Sequence, residues 1–296
     1  MPQERPMIRT RLWVGSLLAL GAAGVLFGDS WLAKNGFAWF PFLFAFLLFA
    51  GIVGSRELVR LFPAAHRPSE ALVTSGVLLA LLANWYPALR AQFSSDPASA
   101  WALLVWVFAC VLIAAFLIAM RRYTGEPGVA VPRLALTVLG VAYLGLLPCF
   151  FAQIRWLSKD VDTSAVMLAL VIFVPKGNDI GAFFTGTFLG RHKMTPTLSP
   201  KKTWEGFVGG MIAGAVVAVA FSFMADVFRH GVVEAIAFGL AVGLAGVFGD
   251  LAESLIKRDC LTKDASKSIP GFGGVLDVID SVLFAAPVAY LWFSWQ

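Results

Sequence analysis

Charge is scarce in this sequence. Only 14% of its 296 residues are charged, 59% are hydrophobic, and the mean hydropathy is +0.79. That balance excludes a soluble domain and is the composition of a chain built from transmembrane helices. Cysteine is nearly absent too. Cys110, Cys149 and Cys260 are odd in number and scattered, which leaves neither a disulfide framework nor a metal-spacing pattern. There is no clear internal repeat and no low-complexity linker. The net charge of +5 suits an anionic membrane face rather than nucleic acid.

What the chain has in abundance is long apolar runs. Windows near 20 residues predict about nine spans, near 12–28, 36–54, 71–88, 100–120, 134–152, 164–189, 206–225, 232–250 and 276–295. The expected fold class is therefore an all-α polytopic membrane protein. The basic residues give its orientation. One set of loops holds Arg5, Arg9, Arg11, Arg56, Arg60, Arg67, Arg121, Arg122, Arg133, Arg191, Lys193, Lys201, Lys202, Lys257, Arg258, Lys263 and Lys267. The alternate loops hold only Lys34, Arg90, Arg155, Lys159 and Arg229. Positive charge is retained inside, so the N-terminus is expected in the cytoplasm and the C-terminus outside. The first span has the basic start and apolar core of a signal peptide, but the spans and charge alternation that follow favour a retained helix.

Chemistry is unevenly distributed. Residues 1–160 read as spans without a chemistry motif, and residues 161–296 as the region that carries the candidate chemistry. Span six contains "FVPKGNDIGAFF", with Pro175 and Gly177 expected to interrupt the helix. Lys176, Asn178 and Asp179 then fall near mid-membrane. A charge there costs about 2.5–3.5 kcal/mol on insertion scales, which makes it a functional candidate; the plainer alternative is a Lys176–Asp179 pair that neutralises itself. The loop "GRHKMTPTLSPKKTWEG" places Lys201 and Lys202 just before a helix that Thr203 can cap. A basic pair there is a plausible anion site, or an ordinary positive-inside loop.

The densest charge lies in "SLIKRDCLTKDASKSIPGFGGVLDVIDS", residues 254–281. On a helix, Asp250, Ser254 and Lys257 share one face, with Glu253 beside Asp250. The turn "PGFGG" can bring backbone N–H groups near phosphate oxygens. Asp277 opens the last span, with Asp280 and Ser281 following. Carboxylates of this kind suit a hard divalent cation; alternatively, Asp277 and Asp280 simply favour a helix N-terminus. The stretch reads as a metal-and-phosphate site where a bilayer meets the cytoplasm.

These residues resemble the phosphatidate cytidylyltransferase, or CDP-diacylglycerol synthase, family. The resemblance rests on Asp179, "SPKKTWEG", Gly249-Asp250, Ser254, Lys257-Arg258, Lys263-Asp264, Pro270-Gly271-Phe272-Gly273-Gly274, Asp277 and Asp280-Ser281. It covers roughly residues 176–287, with the signature in 250–281. Phe272 and Val278 stand where the family has His and Arg. The resemblance implies transfer of the cytidylyl group of CTP to phosphatidate in the bilayer. It implies Mg²⁺ held by Asp250 and Asp277, with catalytic roles for Asp250, Asp277, Asp280 and Lys257. Substrate binding would involve Lys201, Lys202, Ser254, Arg258, Lys263, Asp264, Gly273, Gly274, Asn178 and Asp179. A second, monovalent cation and a homodimer are left open. The implied location is a bacterial cytoplasmic membrane, with the site on its cytoplasmic face. Three alternatives stand beside this reading: the same chemistry on an isoprenoid-ether lipid phosphate, a non-catalytic CTP- or lipid-binding paralogue, and a transporter.

Overall fold

The computed structural model describes residues 4–91 and 99–296. Of residues 4–12 only the backbone is described, so the side chains of Arg5, Arg9 and Arg11 lie outside the described set. Among the described residues, nine helical segments are long and apolar enough to cross a membrane. They are Trp13–Lys34, Pro41–Leu61, Glu70–Ala91, Ala100–Arg121, Ala130–Ile154, Val161–Phe188, Trp204–Ser222, Gly231–Asp259 and Val275–Ser294. Each falls on one of the spans expected from hydropathy.

The chain divides into two compact units. The first comprises Met1–Cys149 and Asp264–Val278, the second Phe150–Lys263 and Ile279–Gln296. The segment 264–278, part of the C-terminal region in sequence, thus belongs with the N-terminal helices.

In the first unit, α1 (Glu4–Lys34), α2 (Pro41–Leu61), α3 (Glu70–Ala91), α4 (Ala100–Arg121) and α5 (Ala130–Val141) pack side by side. A π-helical turn, Ala142–Leu146, joins α5 to α6 (Leu147–Ile154). Apolar helices have little hydrophobic drive to associate within lipid, so close contact rests on small residues. Gly51 accommodates Val77 and Leu81, Gly76 accommodates Val141, and Gly140 accommodates Val73. The start of α2 has no side-chain cap from its own N-cap residue, Phe40, which sits at φ 53°. Asp29 of α1 serves instead, accepting from the Phe42 and Leu43 amides at 2.9 and 2.7 Å.

In the second unit, α7 (Val161–Phe188) lies against α8 (Trp204–Ser222), and α8 against α9 (Gly231–Asp259). The expected break in span six does not occur: α7 is helical throughout, Pro175 included. Neighbouring helices in a membrane can absorb the bond that proline removes. Pro175 packs where a side chain on Gly246 of α9 would collide with it, and Gly177 leaves room for Val217 of α8. These residues make close contacts rather than a break. Span eight likewise continues past the expected end at 250, to Asp259.

One departure from all-α structure lies between α7 and α8. Residues 193–203 form a hairpin of β1 (Lys193–Thr195) and β2 (Ser199–Thr203). Proline at 200 forbids a helix there, and Thr203 closes the hairpin as the cap of α8, accepting from the Gly206 amide at 3.1 Å. Helix α10 (Val275–Ser294) completes the chain.

Candidate active site

Three carboxylates converge in the second unit. Asp250 and Glu253 lie on α9 and Asp280 on α10, each offering an oxygen within 4.8 Å of the others. Their proximity follows from a close crossing at Gly249. A Cβ there would lie 2.5 Å from the Asp280 carbonyl oxygen and 3.0 Å from the Ser281 Cα. Only glycine permits the two backbones to meet, and the next residue is Asp250. Glu253 is 1% exposed and Asp280 5%.

Lysines face these acids from three elements. Lys202 on β2 meets Asp250 at 2.6 Å. Lys257, one turn beyond Glu253 on α9, meets it at 2.7 Å. Lys176 on α7 donates to Ser281 Oγ at 2.9 Å and lies 3.9 Å from Asp280 and 3.7 Å from Asp179. The Lys176–Asp179 pair is therefore not closed on itself; its ammonium also reaches α10. Strand alternation turns Lys202 toward Asp250 while its neighbour Lys201 is exposed.

Four carboxylates, Asp179, Asp250, Glu253 and Asp280, thus share three ammonium groups in this cluster. The donor set is entirely oxygen, with one atom from each of Asp250, Glu253 and Asp280 within 4.8 Å of the others. Such a set suits a hard divalent cation, which takes oxygen ligands. The lysines beside it suit phosphate oxygens.

The other expected residues are placed as follows. Ser254 is buried on α9. Arg258 donates to the Leu198 carbonyl at 3.3 Å, tying the end of α9 to the hairpin, and to the Thr262 carbonyl at 3.4 Å. Lys263 and Asp264 are exposed. Asn178 is 1% exposed, and its amide donates to the Gly243 carbonyl at 2.9 Å; it braces α7 against α9.

Asp277, Gly273 and Gly274 belong to the first unit. Asp277, expected as a metal ligand, accepts with Oδ2 from the Ala265 and Gly274 amides at 3.0 and 2.6 Å. The Phe272 and Gly273 amides both donate to the Ile269 carbonyl, at 3.1 and 3.0 Å. The amides of Phe272, Gly273 and Gly274 are thus engaged within the turn. Gly273 adopts φ +107°, a conformation that L side chains rarely take. Phe272, in the place of the usual His, is 37% exposed. Its ring lies beside α1, where a Cβ on Gly15 would be 3.3 Å away.

Two members of the second-unit cluster, Lys176 and Glu253, had no role assigned by the family resemblance. Lys176 was visible as an intramembrane charge, but its partner on α10 was not. Glu253 was visible only as a neighbour of Asp250 on the helix face.

The full span of the chain from residue 11 to 295 matches the cytidylyltransferase family. A phosphatidate cytidylyltransferase of Bacillus subtilis (strain 168) is 30% identical over 256 residues, covering 84% of this chain and 91% of that protein. The chloroplastic phosphatidate cytidylyltransferase 5 of Arabidopsis thaliana is 33% identical over 197 residues, 60% of this chain and 49% of its own length. The uncharacterized protein YnbB of Escherichia coli (strain K12) is 32% identical over 173 residues, 56% of this chain and 57% of its own. With a match over nearly its whole length and a site of convergent carboxylates and lysines, the chain belongs to the cytidylyltransferase family.

Proposed function

We infer that this membrane protein transfers the cytidylyl group of CTP to phosphatidate, forming CDP-diacylglycerol and pyrophosphate. The observation that carries this reading is the meeting of Asp250, Glu253 and Asp280 with Lys176, Lys202 and Lys257, in a chain that matches the family over residues 11–295. In the reaction, a phosphate oxygen of phosphatidate attacks the α-phosphorus of CTP. The bond from that phosphorus to the bridging oxygen breaks, and pyrophosphate leaves with the electron pair. The nucleophile is already an anion at neutral pH, so no strong general base is required.

The protein's task is then positioning and charge stabilisation. Lys202 and Lys257 are the candidates to hold phosphate oxygens, joined by Lys201, Arg258 and Lys263 at the same end of the unit's helices. Asp250, Glu253 and Asp280 are the residues that would hold Mg²⁺. When bound, the ion would neutralise charge developing on the transferred and leaving phosphates. Asp277 is assigned to the signature turn, whose amides it binds. The basic loops between the spans support a cytoplasmic site in a bacterial cytoplasmic membrane, where CTP is dissolved and the lipid enters sideways.

The test is pyrophosphate release by detergent-purified full-length protein given phosphatidate, CTP and Mg²⁺, with ATP in parallel. Release that requires CTP and phosphatidate and disappears on chelation is expected. CTP binding without release would overturn the catalytic reading.

A further inference from the structure

We infer that Glu57, on α2 in the half of the chain without a chemistry motif, is a positioning residue for the signature loop between α9 and α10. The inference rests on the cytidylyl-transfer reading above. Glu57 is 6% exposed and lies one turn from the end of α2. A buried carboxylate is costly unless its oxygens are bonded. The neighbouring Arg56 and Arg60 do not serve it; they pair with Glu70 at 3.3 and 3.7 Å. Its bonds go to the loop. Oε1 accepts from the Ser266 and Ser268 hydroxyls at 2.6 and 3.1 Å, and Oε2 from the Leu276 amide at 2.9 Å.

Those three donors lie on both limbs of the loop, so one side chain clamps its entry and its exit. Between them the loop has no helix or regular strand, only an isolated bridge from Ile269 to Gly273. Its shape must come from side chains. Asp277 supplies one local anchor, through the Ala265 and Gly274 amides. Glu57 supplies the distant one. The fit is close: a Cβ on Gly274 would meet Glu57 Oε2 at 2.5 Å and its Cδ at 2.8 Å. Gly274 is therefore small because the Glu57 carboxylate occupies the space beside it. The clamped segment carries Gly273 and Gly274 of the signature turn, so an error in its placement is an error in the placement of candidate binding groups. Misplacement by about 1 Å can cost about 10²-fold in rate.

The test uses the full chain in detergent with Glu57→Gln, Glu57→Asp and Ser266→Ala/Ser268→Ala. Glu57→Gln is expected to lower kcat/KM for CTP by about 10–100-fold per folded molecule. Amide hydrogen exchange should accelerate in residues 265–276 while α7 to α9 stay protected. Glu57→Asp keeps the charge and should recover part of the loss. The double serine variant should reproduce the Glu57→Gln effect, and combining the two should add little, because both cut the same bonds. Turnover within about 3-fold of wild type in Glu57→Gln would overturn the inference. So would a rate loss with loop exchange unchanged. Should the wild-type protein show no CTP turnover, the reaction assignment fails, and loop exchange alone decides the role of Glu57: acceleration upholds the clamp and an unchanged rate refutes it.

Discussion

Replacing Lys202 with Met probes whether the Lys202–Asp250 pair is a working part of the site. The two charges stand 2.6 Å apart, with their side chains 24% and 30% exposed. At an effective dielectric of about 20, even a 4 Å pair interacts by about 4 kcal/mol before desolvation is counted. Fully exposed pairs retain about 0.2–1 kcal/mol, whereas removing one partner of a buried pair costs about 3–5 kcal/mol. A pair exposed by a quarter to a third lies between these limits, so Lys202→Met should destabilise by about 1–2 kcal/mol. That corresponds to a fall of about 2–6 °C in apparent Tm, measurable by tryptophan fluorescence in detergent. The effect on rate should be larger. Loss of a cation from the transferring phosphates should lower turnover at least ~100-fold, or about 2.7 kcal/mol of transition-state stabilisation. Asp250→Asn completes a double-mutant cycle, in which the coupling should reach about 1 kcal/mol. Strict additivity in stability would refute the pairing. Wild-type turnover in Lys202→Met would refute its role on phosphate.

Three further outcomes are expected. Mg²⁺ at 100 times its Kd should stabilise the wild-type protein by about 2.7 kcal/mol; thermal unfolding should lose this shift in Asp250→Asn and Asp280→Asn but keep it in Asp277→Asn, and its loss in the last variant would return Asp277 to the ligand set. Phe272→His should fold with stability within about 1 kcal/mol of wild type, because the ring is 37% exposed, and turnover should be kept or raised; unfolding on heating well below wild type would mean that the ring's packing beside Gly15 is essential. Gly274→Ala should destabilise by about 1–3 kcal/mol and impair turnover, since its methyl would strike Glu57; an unchanged melting curve would show that the carboxylate has room to yield.

Much of this protein was legible in its sequence, for definite physical reasons. A span must be apolar for some 20 residues to cross a bilayer, so the nine segments stood out from hydropathy alone. The Asp250, Ser254 and Lys257 face followed from helical period. Thr203 was legible as a cap because a Thr hydroxyl just before a helix can accept from an otherwise unpaired first-turn amide. The motif from Asp179 to Ser281 carried the family, which the match over residues 11–295 establishes.

The tertiary structure decided which charges meet. Helical period put Glu253 beside Asp250, but only the glycine crossing at Gly249 brings Asp280 to them. Lys176 and Asp179 were functional candidates that at three residues' spacing could also have neutralised each other; the ammonium in fact reaches Asp280 and Ser281 on another helix as well. Pro175 and Gly177 suggested a broken span, because sequence shows the lost hydrogen bond but not the neighbouring helices that compensate for it. Glu57 carried no local signal: its partners lie more than 200 residues away, and a glutamate near the end of a span reads as an interfacial charge until the loop folds onto it. Periodicity and hydropathy are properties of neighbouring residues, and the sequence expresses them directly. A buried carboxylate's partners are set by which helices pack together, and that was settled only when the chain folded.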